Sequence, residues 1–225
     1  MVSGIPTQLI VFLVLVFGMR INPLEITSGG LSFELMAMLM LFDTALTALL
    51  IRVFLEMSHE DSRTVFLGPR RPLGEFFRGL ALIPVMIFGL ALLTLAMRKW
   101  LPWAHNVPDN PMLAFMRTPF EAAIFIVVVI LGAGVKEELQ RAFVLHRFRS
   151  YLGGTRVGLA AFSLLFGLLH ITQGIDAVIA VGLLGLLWDV LYVKRRSVVM
   201  SMVSHAGFDA VQVAQVLLVR ALGGA

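Results

Sequence analysis

The chain has 225 residues, 59% of them hydrophobic and only 14% charged, with a mean hydropathy of +0.91. Soluble domains carry about 25% charged residues, so a soluble globular class is excluded. The expected architecture is an all-α, polytopic transmembrane helix bundle of about seven spans, one domain over residues 1–225 with no separate soluble part. Without cysteine there are no disulfides and no thiolate chemistry. The net charge of +4 belongs to loop Lys and Arg that set topology, and nucleic acid is not an expected partner.

Taken in chain order, Met1 to Met19 holds an apolar stretch, Leu9 to Phe17, closed by Arg20. It lacks the basic start and small-residue cleavage site of a signal peptide, so it reads as a short first membrane helix. Asn22-Pro23 and Ser28-Gly29-Gly30 form the following turn. A second span runs from Leu31 to about Leu55, with Asp43 near its middle, where it must face the bundle interior or a polar partner. Met57 to Gly74 is a polar loop, and the third span covers about Leu80 to Met97. Trp100 and Trp103 fit an interfacial belt, and Pro108-Asp109-Asn110-Pro111 reads as a turn. The fourth span starts near Pro119 and the fifth covers about Thr155 to Ile171. The sixth runs from Asp176 to Val193 and the seventh from Ser197 to Leu222.

Alternate loops divide the basic residues unevenly. One side holds eleven: Arg52, Arg63, Arg70, Arg71, Arg78, Arg147, Arg149, Arg156, Lys194, Arg195 and Arg196. The other holds five: Arg20, Arg98, Lys99, Arg117 and Arg220. The positive-inside rule then predicts a cytoplasmic N-terminus.

The least comfortable stretch is Val135-Lys136-Glu137-Glu138-Leu139-Gln140-Arg141, at the end of an apolar run. Each charge costs roughly 2.5–3.5 kcal/mol near the centre of a membrane helix. On a helix, Glu137 and Arg141 are four apart and share a face, so they can pair, with Glu138 about 100° round. The plain reading is a helix leaving the membrane with Lys136 and Arg141 neutralising the acids. Two histidines also lie in apolar sequence: His170 ends the fifth span, and His205 stands four residues before Asp209 in the seventh. His59, His105 and His146 fall in polar sequence. Ser201 and Ser204 read as packing residues, not nucleophiles.

Convergence on one polar cavity is the least costly arrangement for these groups. The topology works against it, because His170 precedes an outer loop while the glutamates lie nearer the cytoplasm. Either helices tilt or the cavity reaches into the bilayer. A glutamate shielded from bulk water can take a proton from an attacking water, and imidazoles can orient that water, support an oxyanion or bind metal. No cofactor is demanded. A divalent metal such as zinc would fit two histidines and a carboxylate, although the absence of His-Glu-x-x-His excludes a conventional zincin.

Glu137-Glu138 with Arg141, then Phe166-x-x-x-His170, then His205-x-x-x-Asp209, resembles the CPBP family of intramembrane proteases (CAAX proteases and bacteriocin-processing enzymes, also called Abi). The likeness covers about residues 119–210. It implies an intramembrane endopeptidase acting on a membrane-associated or lipidated, CAAX-like peptide near the cytoplasmic face, in a bacterial inner membrane. By position it implies that Glu137 and His170 activate the water and that His205 and Asp209 support the oxyanion or help bind a metal. It also makes Glu138 catalytic, with Arg141 and Phe166 supporting. The family pattern Glu-Glu-x-x-x-Arg puts the arginine five after the first glutamate, but Arg141 is four after Glu137. Either the arginine has slipped, or Lys136 replaces the first glutamate. The first register is favoured, since Lys136 cannot act as a carboxylate base. A non-catalytic scaffold or bacteriocin self-immunity protein of the same fold is the alternative. A small proton or cation carrier is a third reading, which the lack of inverted repeats disfavours.

Overall fold

The computed structural model describes residues 5–20, 33–108, 112 and 116–223. The expected turns at Asn22-Pro23, Ser28-Gly30 and Asp109-Pro111 therefore lie outside the described residues, as do Met1 and Leu31 at the starts of the first two spans. Among the described residues there is no strand. The helices are α1 (Ile5–Leu13), α2 (Phe33–Met57), α3 (Ser62–Phe66), α4 (Pro72–Trp100), α5 (Pro119–Val129), α6 (Glu138–Tyr151), α7 (Thr155–Leu168), α8 (Ile175–Arg195) and α9 (Val199–Ala221). Among the described residues five helices are long and apolar enough to cross a membrane: α2, α4, the continuous Pro119–Tyr151, α8 and α9. Thr7–Gly18 and α7 are apolar but shorter. The all-α bundle stands, with two of the seven expected spans below full length.

The third span begins at Pro72 and not near Leu80. Glu75 and Arg78 make this stretch look like loop in the sequence. In the fold, Glu75 is fully buried because Arg195 of α8 and Arg78 both neutralise it. Proline at the first helical position supplies a start that needs no backbone donor.

At the same end of the bundle, α3 docks beneath the turn between α8 and α9. The Asp61 carboxylate caps it, accepting from the backbone N–H groups of Arg63 and Thr64. The Thr64 hydroxyl and those N–H groups hold the Asp61 carboxyl below the usual carboxylate range. The Tyr192 hydroxyl donates to the Val65 carbonyl (3.0 Å), and the Val198 N–H donates to that of Phe66 (2.8 Å).

Close helix approaches run through small residues, as expected where lipid gives helices no hydrophobic reason to associate. An added Cβ at Gly167 would meet the Val178 carbonyl at 2.6 Å and Gly182 Cα at 3.0 Å, so α7 and α8 meet backbone to backbone. At Gly134 it would meet Ala206 Cβ at 2.4 Å, so α9 lies directly against the residues that precede Glu137.

Helices α6 and α7 form an antiparallel hairpin through Gly153 and Gly154, both at positive φ. Each is 14 residues long, so the start of α6 and the end of α7 both stand about 20 Å from the turn. Equal arms bring Glu137 and Glu138 level with His170, which removes most of the depth mismatch expected from topology.

Candidate active site

Residues Ile130–Glu137 link α5 to α6 as a π-helix. An eight-residue π segment is unusual, since such windings occur mostly as single turns and often at functional sites. Its sequence, Ile-Leu-Gly-Ala-Gly-Val-Lys-Glu, contains two glycines: Ala206 leaves no room for a Cβ at Gly134, whereas at Gly132 a Cβ would press mainly on the flexible end of Met40. The winding turns three consecutive charged residues toward three different surroundings. All three are buried.

Lys136 points to α2. Its Nζ lies 2.6 Å from Asp43 Oδ2, with both side chains at 1% exposure or less. Asp43 also accepts from the Thr7 hydroxyl and, at 3.3 Å, from Gln8 Nε2. The mid-span aspartate thus has the inward polar partners its position demanded.

Glu137 lines a cavity of about 520 Å³ whose walls also include His170, His205, Asp209, Phe166 and Trp188. Glu138 is turned from this space. Its Oε1 accepts from Arg141 Nε (3.0 Å) and bonds His205 Nδ1 (2.9 Å). Arg141 therefore pairs with Glu138, three residues earlier, and with Asp189 of α8. The pair that spacing allows between Glu137 and Arg141 is not the one formed, because the π winding ends at Glu137 and shifts it off the face that Arg141 occupies. Arg141 donates further to the Gly185 carbonyl (2.9 Å) and lies over Phe162 and Phe166 at 5.0 and 4.7 Å. Ionic and ring contacts together account for a fully buried guanidinium.

His205 has its two nitrogens in different surroundings. Nδ1 is held by Glu138, while Nε2 lies 3.6 Å from Asp209 Oδ2 and 4.0 Å from Glu137 Oε2. Trp188 stacks on the ring, with centroids 3.7 Å apart and planes 18° from parallel. The indole is itself fixed by donating to Ser204 Oγ at 3.1 Å. His170 is held through Nδ1, which donates to the Phe166 carbonyl at 2.8 Å. A carbonyl can only accept, so the proton sits on Nδ1 and the neutral ring keeps its Nε2 lone pair. Phe166 separates the two imidazoles, with centroids 5.3 Å from His170 and 6.2 Å from His205.

Among the described residues, no three His, Asp or Glu side chains are grouped so as to hold a metal ion. Both nitrogens of His205 face carboxylates, a hydrogen-bonding arrangement and not a ligand set. Sequence reasoning missed Trp188 and Asp189. Asp189 carried a usable signal, an acid inside the apolar sixth span like Asp43 in the second. Trp188 carried none, because a tryptophan in a membrane helix reads as packing.

A carboxylate that lines one cavity with two held imidazoles, within a helix bundle, is an arrangement suited to hydrolysis inside a membrane. Residues 119–211 match the family described as type II CAAX prenyl endopeptidase Rce1-like. The match spans all three motifs and bears out the resemblance to the CPBP and CAAX protease family. It supports a CAAX-type intramembrane protease in general, and with it protease activity. No curated protein and no solved structure matches the chain.

Proposed function

We propose that the chain is an integral membrane endopeptidase, with Glu137 the general base that activates water against a peptide carbonyl of a membrane-associated or lipidated substrate. The observation that carries this reading is the division of labour between adjacent glutamates. Glu138 is bound to Arg141 and His205, whereas Glu137 faces the cavity shared with His170 and Asp209. The attacking water sits between the Glu137 carboxylate and His170 Nε2, an acceptor in the tautomer its Phe166 bond selects. As the carbonyl becomes tetrahedral, His205 Nε2 stabilises the oxyanion, with Asp209 and Glu138 holding the ring at either side. Glu138 and Arg141 are positioning residues, and no step is routed through a metal. The host membrane is proposed to be a bacterial inner membrane with a cytoplasmic N-terminus.

The test is Glu137→Gln, which keeps size and hydrogen bonding but removes the proton acceptor. Cleavage of a membrane peptide substrate should fall by about 10²–10⁴, the usual worth of a general base, at matched membrane levels. His170→Ala should lose about as much, and the double variant little more, since residues acting as a unit are not additive. Full activity in Glu137→Gln would remove the glutamate-dependent reading and favour a scaffold or immunity role.

A further inference from the structure

Glu137 stands between two sets of anchors on its own chain. Downstream, Glu138 is tied to His205 of α9, and Arg141 to Asp189 of α8. Upstream, Lys136 is tied to Asp43 of α2, and Asp43 is backed in turn by Thr7 and Gln8 of α1. Neighbouring residues are thus drawn toward different helices, and the residue between them lines the cavity. The downstream anchors lie within residues 119–211, the part that matches the protease family. Asp43, Thr7 and Gln8 all precede it.

We propose that Asp43 is a positioning residue for the Glu137 base: through Lys136 it holds the π winding in the register that turns Glu137 into the cavity. This rests on the proteolytic reading of the Glu137 site. A π segment of eight residues competes with the α form of the same sequence, which is the commoner winding. With Glu138 and Arg141 fixed, tightening the last turn to α geometry sets successive side chains about 100° apart. Lys136 is then drawn from α2, and the Glu137 carboxylate turns off the cavity wall.

Two contacts with one face of α2 oppose that change. Met40 lies against Gly132, and three residues further along α2 Asp43 holds Lys136. The first is an apolar contact with the flexible end of a side chain, which can slide. The second is directional, because a buried ammonium that leaves its carboxylate is left uncompensated. Lys136 therefore has a task other than neutralising the two glutamates beside it. Thr7 and Gln8 share in that task, since they fix the carboxylate that Lys136 meets.

A pair that only stabilises the bundle and a pair that aims the base differ in Asp43→Leu/Lys136→Met, which keeps charge balance and loses direction. Each variant is assayed in nanodiscs on a membrane peptide substrate, below its own melting temperature. Aiming predicts a kcat lower by about 10–100-fold, the scale of a misplaced reacting group, with KM within about twofold of the parent. The swapped pair Asp43→Lys/Lys136→Asp keeps an ion pair across the same gap, and Gln8 can turn its carbonyl to the ammonium. It should return kcat to within about threefold of the parent. A parental kcat in the double apolar variant overturns the proposal. So does a swapped pair that melts like the parent yet is no more active than the double apolar variant.

A second measurement needs no catalysis. The chain has no cysteine, so Glu137→Cys supplies the sole thiol for a small, neutral methanethiosulfonate. Adding Asp43→Leu/Lys136→Met should slow its modification at least about tenfold as the thiol leaves the cavity wall. Equal rates in both backgrounds overturn the proposal. Slowed modification together with a fully active Glu137→Gln would remove the protease reading and leave the positioning of residue 137 standing. Should the double apolar variant not reach the membrane, Asp43→Asn is put to both tests, since it keeps the shape and loses the charge. A kcat loss of about threefold to tenfold is then expected, and no loss in either test overturns the proposal.

Discussion

Breaking the Lys136–Asp43 pair should unfold the bundle more readily than any surface change. At 2.6 Å and an effective dielectric of 20, the attraction is about 6 kcal/mol before desolvation is counted. Desolvation offsets much of that while both charges are present. Removing one leaves the other unpaired in a dry interior, which typically costs about 3–5 kcal/mol. Asp43→Leu removes the carboxylate that Lys136 pairs with, and Lys136→Met leaves Asp43, among the described residues, with the hydroxyl of Thr7 and the amide of Gln8. At 2–4 °C per kcal/mol for a chain of this size, either single variant should melt on the order of 10 °C lower in nanodiscs. The double variant Asp43→Leu/Lys136→Met restores charge neutrality and should recover most of the loss. A double variant as unstable as the singles, or singles with unchanged melting, would refute the argument that this pair is coupled.

Two further outcomes follow from close contacts. Gly134→Val puts side-chain atoms where Ala206 already lies, so α9 must move and carry His205 from Glu137; a displacement near 1 Å should lower cleavage about 10²-fold, read against melting and expression. Arg141→Lys keeps the charge but loses the fork that joins Glu138, Asp189 and the Gly185 carbonyl. Cleavage should fall because Glu138 no longer fixes His205, and the loss should exceed that of Lys194→Ala, an exposed residue in the last turn of α8.

Much of this site could be read from the chain, for an identifiable reason. Glu137, His170, His205 and Asp209 are each costly in lipid, and convergence is the one arrangement that relieves them together. The share of Lys136 was not legible. Its partner lies 93 positions away on α2, and sequence gives no distance between helices. Spacing allowed Glu137 to pair with Arg141 because it assumes 3.6 residues per turn, which fails where the helix winds as π. The start of α4 was misplaced because Glu75 and Arg78 are polar in sequence and neutralised only in the fold.

The wide winding of Ile130–Glu137 also bears on how this chain tolerates a change of length. A helix bonded i to i+5 holds more residues per turn than its α-helical neighbours. Removing one residue, such as Ala133, lets the segment tighten toward an α-helix. The flanking helices stay anchored, α5 by its Thr118–Glu121 cap and α6 by Arg141. The same deletion in the middle of α4 or α9 would misalign every contact beyond it. Here it acts as a rotation, changing which of three neighbouring charged side chains meets the cavity. Length variation that would ruin another transmembrane helix becomes, at this point, a means of reassigning the base.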